Sequence, residues 1–125
     1  MGDFIPVNEP VLSKDSKRFV NQALDTGWIS SSGPFIKEFE KKFASFVGMK
    51  HGIAVSSGTA ALHVALLSLG VGPGDEVIVP AFTMGATWLA VLYTGAKPIF
   101  VDCELETFNI DTKRIEEKID KAQIW

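Results

Sequence analysis

The chain has 125 residues, 46% hydrophobic and 22% charged, with 12 Lys and Arg against 15 Asp and Glu. That length suits one modest domain, which can bury roughly two-thirds of its unfolded surface, so wholesale disorder is excluded. A net charge of −3 offers no basic surface from which to argue nucleic-acid binding.

Cys103 is the single cysteine and has no internal partner, which favours a reducing compartment. The start, Met1-Gly2-Asp3-Phe4-Ile5-Pro6, lacks the basic and apolar regions of a secretory signal. Pro6 stands where the myristoylation pattern needs Ser or Thr. No apolar run approaches the roughly 18 residues that a membrane helix needs. A soluble, cytoplasmic protein is expected.

Residues 1–12 are predicted to be extended, because Pro6 and Pro10 oppose a helix. Ser13 has the character of an N-cap, and Phe19, Val20, Ala23 and Leu24 form a helical stripe. Gly27 suits the left-handed position that ends such a helix. Trp28-Ile29-Ser30-Ser31-Ser32-Gly33-Pro34 is a loop by composition. The next helix, about 34–47, is the clearest amphipathic element. Phe35, Phe39, Phe43 and Phe46 share one face, opposite Lys37, Glu38, Glu40, Lys41 and Lys42. That phenylalanine stripe is expected to be core, since each aromatic carries so much packing surface.

From residue 52 the rhythm changes. Ile53-Ala54-Val55 is predicted as a short strand, followed by a helix from Thr59 to Leu69 with Leu62, Ala65, Leu66 and Leu69 on one side. Gly70 to Asp75 is a turn, Glu76-Val77-Ile78-Val79-Pro80 a second strand, and about 84–94 a helix closed by Gly95. Pro98 to Asp102 forms a third strand, and Asp111 opens a last helix carrying Ile115 and Ile119. Alternating strands and helices with short links predict a parallel α/β sheet with right-handed crossovers. Three such strands make half a sheet with an apolar edge. Either an oligomer covers that edge, or the chain is the leading part of a larger domain.

Chemistry is expected where Ser56-Ser57-Gly58-Thr59 leads into a helix. First-turn amides have no intrahelical partner there, the helix dipole is positive, and small residues let an oxyanion approach. Simple capping by a hydroxyl accounts for the same residues and, from the residues alone, is the commoner outcome. Gly70, Gly72 and Gly74 follow a helix and precede a strand, so they read as a turn rather than a dinucleotide loop. No Walker loop occurs, and His51 and His63 lack companion ligands, so no metal site is expected. Cys103 is expected to be buried and inert. Asp102, at a strand's carboxyl end, stands where ligands bind open sheets but is equally suited to capping the next turn.

Seven segments in order carry a resemblance. They are Ile5-Pro6-Val7-x-Glu9-Pro10, Gly27-Trp28-Ile29-Ser30-Ser31-x-Gly33, Phe39-Glu40-x-x-Phe43-Ala44, Ser57-Gly58-Thr59-Ala60-Ala61-Leu62, Gly74-Asp75-Glu76-Val77-Ile78-Val79-Pro80, Phe82-Thr83, and Gly95-Ala96-x-Pro98-x-Phe100-Val101-Asp102. From Phe4 to about Ile119 the chain resembles the beginning of a DegT/DnrJ/EryC1/StrS sugar-nucleotide aminotransferase, in particular the perosamine synthase-like members that act on GDP-4-keto-6-deoxymannose.

The resemblance implies part of a fold-type I large domain, three-layer α/β/α with a mainly parallel sheet. Residues 1–33 would form an extended segment, helix and substrate-side loop, and 34–125 the first, incomplete part of the domain that binds pyridoxal 5′-phosphate (PLP). Glutamate would be the amino donor, a nucleotide sugar the acceptor, and a homodimer the assembly. Gly58, Thr59 and Ala60 would hold the cofactor phosphate. Met84 takes the place of the aromatic residue usually stacked on the pyridine ring, a thioether contact instead of an aromatic one. Trp28, Ile29 and Ser30 would line the sugar-nucleotide site.

The family's Schiff-base lysine and its carboxylate on the pyridine nitrogen lie further along its pattern. None of the ten lysines here, from Lys14 to Lys121, occupies a matching motif. No catalytic residue is therefore assigned. A fragment or truncated reading frame, inactive alone, is expected. The competing expectation is a non-catalytic remnant that pairs with an intact subunit through the loop at 27–34 and the sheet edge. A weaker one is a small phosphate-binding domain of another kind.

Overall fold

In the computed structural model, which describes residues 4–119, seven elements follow one another: α1 (Lys14–Asp25), α2 (Pro34–Phe46), α3 (Gly58–Ser68), β1 (Glu76–Pro80), α4 (Gly85–Tyr93), β2 (Lys97–Val101) and α5 (Thr112–Ile119). Expectations about residues 1–3 and 120–125 lie outside the described residues. The chain divides into two compact units, Met1–Ala54 and Val55–Trp125.

In the first unit, α1 follows Ser13, but the Ser13 hydroxyl meets Ser16 Oγ at 3.0 Å and caps no amide. Gly27 ends the turn at φ +70°, the left-handed conformation that a side chain would strain. α2 starts with Pro34 at its first turn, where a missing N–H costs nothing. Phe19 of α1 meets Phe35 of α2 edge-on, ring centroids 6.3 Å apart. The rest of the phenylalanine stripe departs from expectation. Phe39 and Phe43 stack on one another at 5.7 Å while both remain more than half exposed, and Phe46 is 88% exposed. Helical period brings the rings onto one face, but packing needs a second surface over that face. Only Ala44 of α2 is buried.

Ile53-Ala54-Val55 forms no strand. The Ala54 amide donates to Glu40 Oε1 at 2.9 Å, so it is drawn to a side chain of α2 rather than to a ladder. The sheet therefore has two described strands instead of the three expected.

In the second unit, β1 and β2 pair in parallel, Glu76 opposite Lys97 through Pro80 opposite Val101. Their entry is tied by the Lys97 amide to the Asp75 carbonyl, 2.9 Å, and by a Lys97–Glu76 ion pair, 2.7 Å. α4 links the strands and packs on both, and α3 packs against α4. The core is Val79, Val91 and Ala96, with Leu66, Val71, Val77 and Trp88 packed around it. Of the expected α3 stripe, only Leu66 joins that core, while Leu62 and Leu69 are exposed. Gly95 turns α4 into β2 at φ +85°, and a Cβ there would stand 2.9 Å from Pro73 Cγ. At the other end, Asp111 precedes α5, the helix it was expected to open, and its Oδ1 accepts from the Lys113 amide at 3.0 Å as an N-cap does.

Candidate functional site

The turn into α3 is built by Ser57. With φ −161° and ψ 166° it is still extended, and its Oγ accepts from the Ala60 amide at 3.2 Å. Its carbonyl accepts from Ala61 at 3.0 Å. The two remaining first-turn amides, of Gly58 and Thr59, have no hydrogen-bond partner among the described residues. No acidic side chain occupies the first turn to compete for an anion. Gly58 is exposed, and a Cβ added to it would meet nothing within 4 Å. Capping and an uncapped pair of amides thus coexist: the side chain satisfies one amide and leaves two without a partner among the described residues, with open space beside Gly58. Such a turn fits a phosphate group, through two backbone donors and the positive end of the helix dipole.

Met84 belongs to the same unit, at the N-cap of α4, the helix against which α3 packs, and is 80% exposed. Beside it, Thr83 and Thr87 hydroxyls share a 2.8 Å hydrogen bond. Trp28, Ile29 and Ser30 lie in the first unit. Together with Phe19, Phe35 and Ile36 they line an apolar groove of about 430 Å³. Trp28 is half exposed, with its Cβ so near the buried Gly33 that a side chain there would approach to 3.3 Å. It is both a packed anchor of its loop and an accessible ring. Ser30 Oγ accepts from the Ser32 amide at 3.5 Å, a long bond that leaves its hydroxyl adaptable.

Two other residues are settled locally, Asp102 by the capping alternative and Cys103 with less burial than expected. Asp102 is engaged locally: Oδ1 accepts from the Cys103 amide at 2.9 Å and Oδ2 from Arg114 at 3.1 Å, so it fastens the chain after β2 to α5. Cys103 is half-buried instead of buried, because it borders an isolated bridge to Ile110 at the edge of the unit. Among the described residues no group of three His, Cys, Asp or Glu is placed to hold a metal ion, and no helix is long and apolar enough to cross a membrane.

The Ser57–Ala60 bond is the hydroxyl capping that the sequence suggested for this turn. The Glu40–Ala54 bond joins residues fourteen positions apart and had no signal in the sequence.

A parallel pair of strands joined by α4, with α3 packed on that helix and opening on two unpartnered amides, makes this unit an α/β fold whose α3 turn has the donors a phosphate would need. The chain belongs to the DegT/DnrJ/EryC1/StrS aminotransferase family, which it matches over residues 10–123. It is 50% identical over 116 residues to a GDP-perosamine synthase of Escherichia coli O157:H7, covering 93% of this chain and 32% of that protein. It is 44% identical to the spore coat polysaccharide biosynthesis protein SpsC of Bacillus subtilis, covering 93% and 30%.

Among solved structures, a Streptococcus pneumoniae protein described as a sugar aminotransferase, in its PLP form, superposes with a TM-score of 0.84 at 37% identity, covering 90% of this chain and 29% of that one. NtdA of Bacillus subtilis, solved with bound cofactor PMP, gives 0.76 at 44% identity, covering 83% and 24%. The architecture is that of fold-type I aminotransferases, represented by part of their α/β domain, and PLP is the cofactor of the family. The chain spans about a third of the length of the curated relatives it matches.

Proposed function

We propose that this chain forms the N-terminal portion of a PLP-dependent aminotransferase. The enzyme would move an amino group from glutamate to a nucleotide-linked 4-keto-6-deoxy sugar of the perosamine type, for polysaccharide or O-antigen biosynthesis in the cytoplasm. The supporting observation is the α3 turn, with the Gly58 and Thr59 amides unpartnered among the described residues and open space before Gly58.

Gly58 and Thr59 donate their amides to the cofactor phosphate, and the Thr59 hydroxyl adds a further donor. Ala60 joins them when Ser57 Oγ releases its amide. Met84 lays its thioether against the pyridine face. Trp28, Ile29 and Ser30 line the sugar-nucleotide site, so residues 1–33 serve the substrate and 34–125 begin the cofactor domain. When bound, PLP supplies the electron sink for moving protons at the amine-bearing carbon. The chain alone does not transaminate, because no lysine here occupies the family's motif for carrying the cofactor.

The test is an amide-resolved NMR titration of the chain with PLP and with unphosphorylated pyridoxal, followed by borohydride reduction. Saturable shifts at Gly58 and Thr59 with PLP alone, and no single lysine labelled stoichiometrically, are expected. Equal response to pyridoxal would overturn the phosphate assignment. One specific lysine adduct would overturn the inactivity of the isolated chain.

A second function draws on the exposed rings of Phe39, Phe43 and Phe46. They would add to the loop at 27–34 and the sheet edge as the surface of an interaction module that pairs with an intact family subunit, as in a homodimer. Co-purification with a full-length relative supports it, and a monodisperse monomer in that mixture counts against it.

A further inference from the structure

A cavity of about 500 Å³ lies in the first unit, between α2 and the chain that follows it. Its lining holds Lys37, Lys41, Lys50 and His51 against a single carboxylate, Glu40. That is three lysines to one glutamate, a local excess of positive charge on a chain whose net charge is −3.

The backbone makes this grouping. Lys37 and Lys41 are four residues apart on α2 and therefore share a face. The Met49 amide bonds to the Ala44 carbonyl at 2.8 Å and folds the chain back along the helix. Gly52 then lies so close that a Cβ on it would stand 2.7 Å from the Glu40 carbonyl oxygen. Only glycine allows that approach, and it brings Lys50 and His51 to the cavity that Lys37 and Lys41 line.

The charges are also available. Glu40 Oε1 is turned to the Ala54 amide. Lys42, one residue along the helix, is paired with Glu38 at 2.6 Å. By contrast, Lys37, Lys41 and Lys50 form no ion pair among the described residues.

We infer that this cavity binds a polyvalent phosphate of the diphosphate class, independently of the α3 turn. Lysine ammonium groups bind such oxyanions as point charges, and several around one cavity favour a multiply charged group over a single carboxylate. No Phe, Tyr or Trp lines the cavity, so the His51 imidazole is the one ring there on which a base could stack, a small addition to the charge contacts. Inorganic pyrophosphate and a nucleoside diphosphate should therefore bind alike.

The experiment is an amide-resolved NMR titration of the whole chain at low ionic strength with pyrophosphate, ADP and acetate. Pyrophosphate and ADP should give saturable shifts at Lys50, His51 and Gly52, and acetate none. The variant K37Q/K41Q, on exposed helix positions, should weaken both by about tenfold while leaving PLP-induced shifts at Gly58 and Thr59 unchanged. K50Q provides the same readout should the double variant lose spectral dispersion. Shifts confined to Gly58 and Thr59, unchanged affinity in the lysine variants, or non-saturating drift that follows ionic strength alone would each overturn the inference.

Discussion

Ser57 shows how one hydroxyl decides what the α3 turn can do. It satisfies the Ala60 amide and leaves those of Gly58 and Thr59 without a partner among the described residues. Ser57→Ala removes the cap and should cost about 1 kcal/mol in urea-monitored stability. The same change frees a third amide, so phosphate binding should not fall with stability. Glycines separate along a similar line. Gly95 is held at φ +85° against Pro73, so Gly95→Ala should destabilise by more than about 1 kcal/mol. Gly58 has open space around it and no positive φ. Gly58→Ala should therefore leave the unfolding midpoint in place while its methyl group obstructs the phosphate, read as weaker PLP binding in the same titration.

At the scale of elements, the hydrophobic period found α1, α2 and α3, because the period depends only on local geometry, while α4 was placed by its position between two strands and by Gly95 at its end. The period could not say what covers each stripe. Phe39, Phe43 and Phe46 align as predicted yet stay exposed, and Ile53-Ala54-Val55 has the residues of a strand but no ladder partner, its middle amide going to Glu40. The α3 turn was legible because hydroxyl, glycine and the start of the helical run are adjacent in sequence, even though no strand leads into it. The lysine cavity was not, since it depends on a Gly52–Glu40 approach that no local pattern encodes. α2 also carries a measurable pH response. A hydrogen bond from Lys42, reinforced by its charge, holds the Glu38 carboxyl below the usual carboxylate range. A lowered folded pKa contributes stability above the unfolded value and loses it as pH falls through the folded one. Helicity followed by circular dichroism should therefore soften slightly on acidification. The response should be screened by salt, because the pair is exposed, and flattened in Glu38→Gln.

For the whole molecule, the distribution of buried residues fixes where stability resides. α1 and α5 contain no buried residue, whereas α4 buries Ala90 and Val91 and lies on the paired strands β1 and β2. Local opening free energies rise with buried apolar contact and fall where backbone bonds face water. Hydrogen exchange should thus be slowest at Val79, Val91 and Val101 and fastest in α1 and α5, with α2 between them through Ala44 alone. PLP binding at the α3 turn should slow exchange first in α3 and in α4, which packs against it, before any change in α1. Binding to the native state stabilises only what opens together with the site. Protection greatest in α1, or a PLP response spread evenly over both units, would show that the small valine–alanine core does not organise the fold and that the α3 turn is not where the phosphate is held.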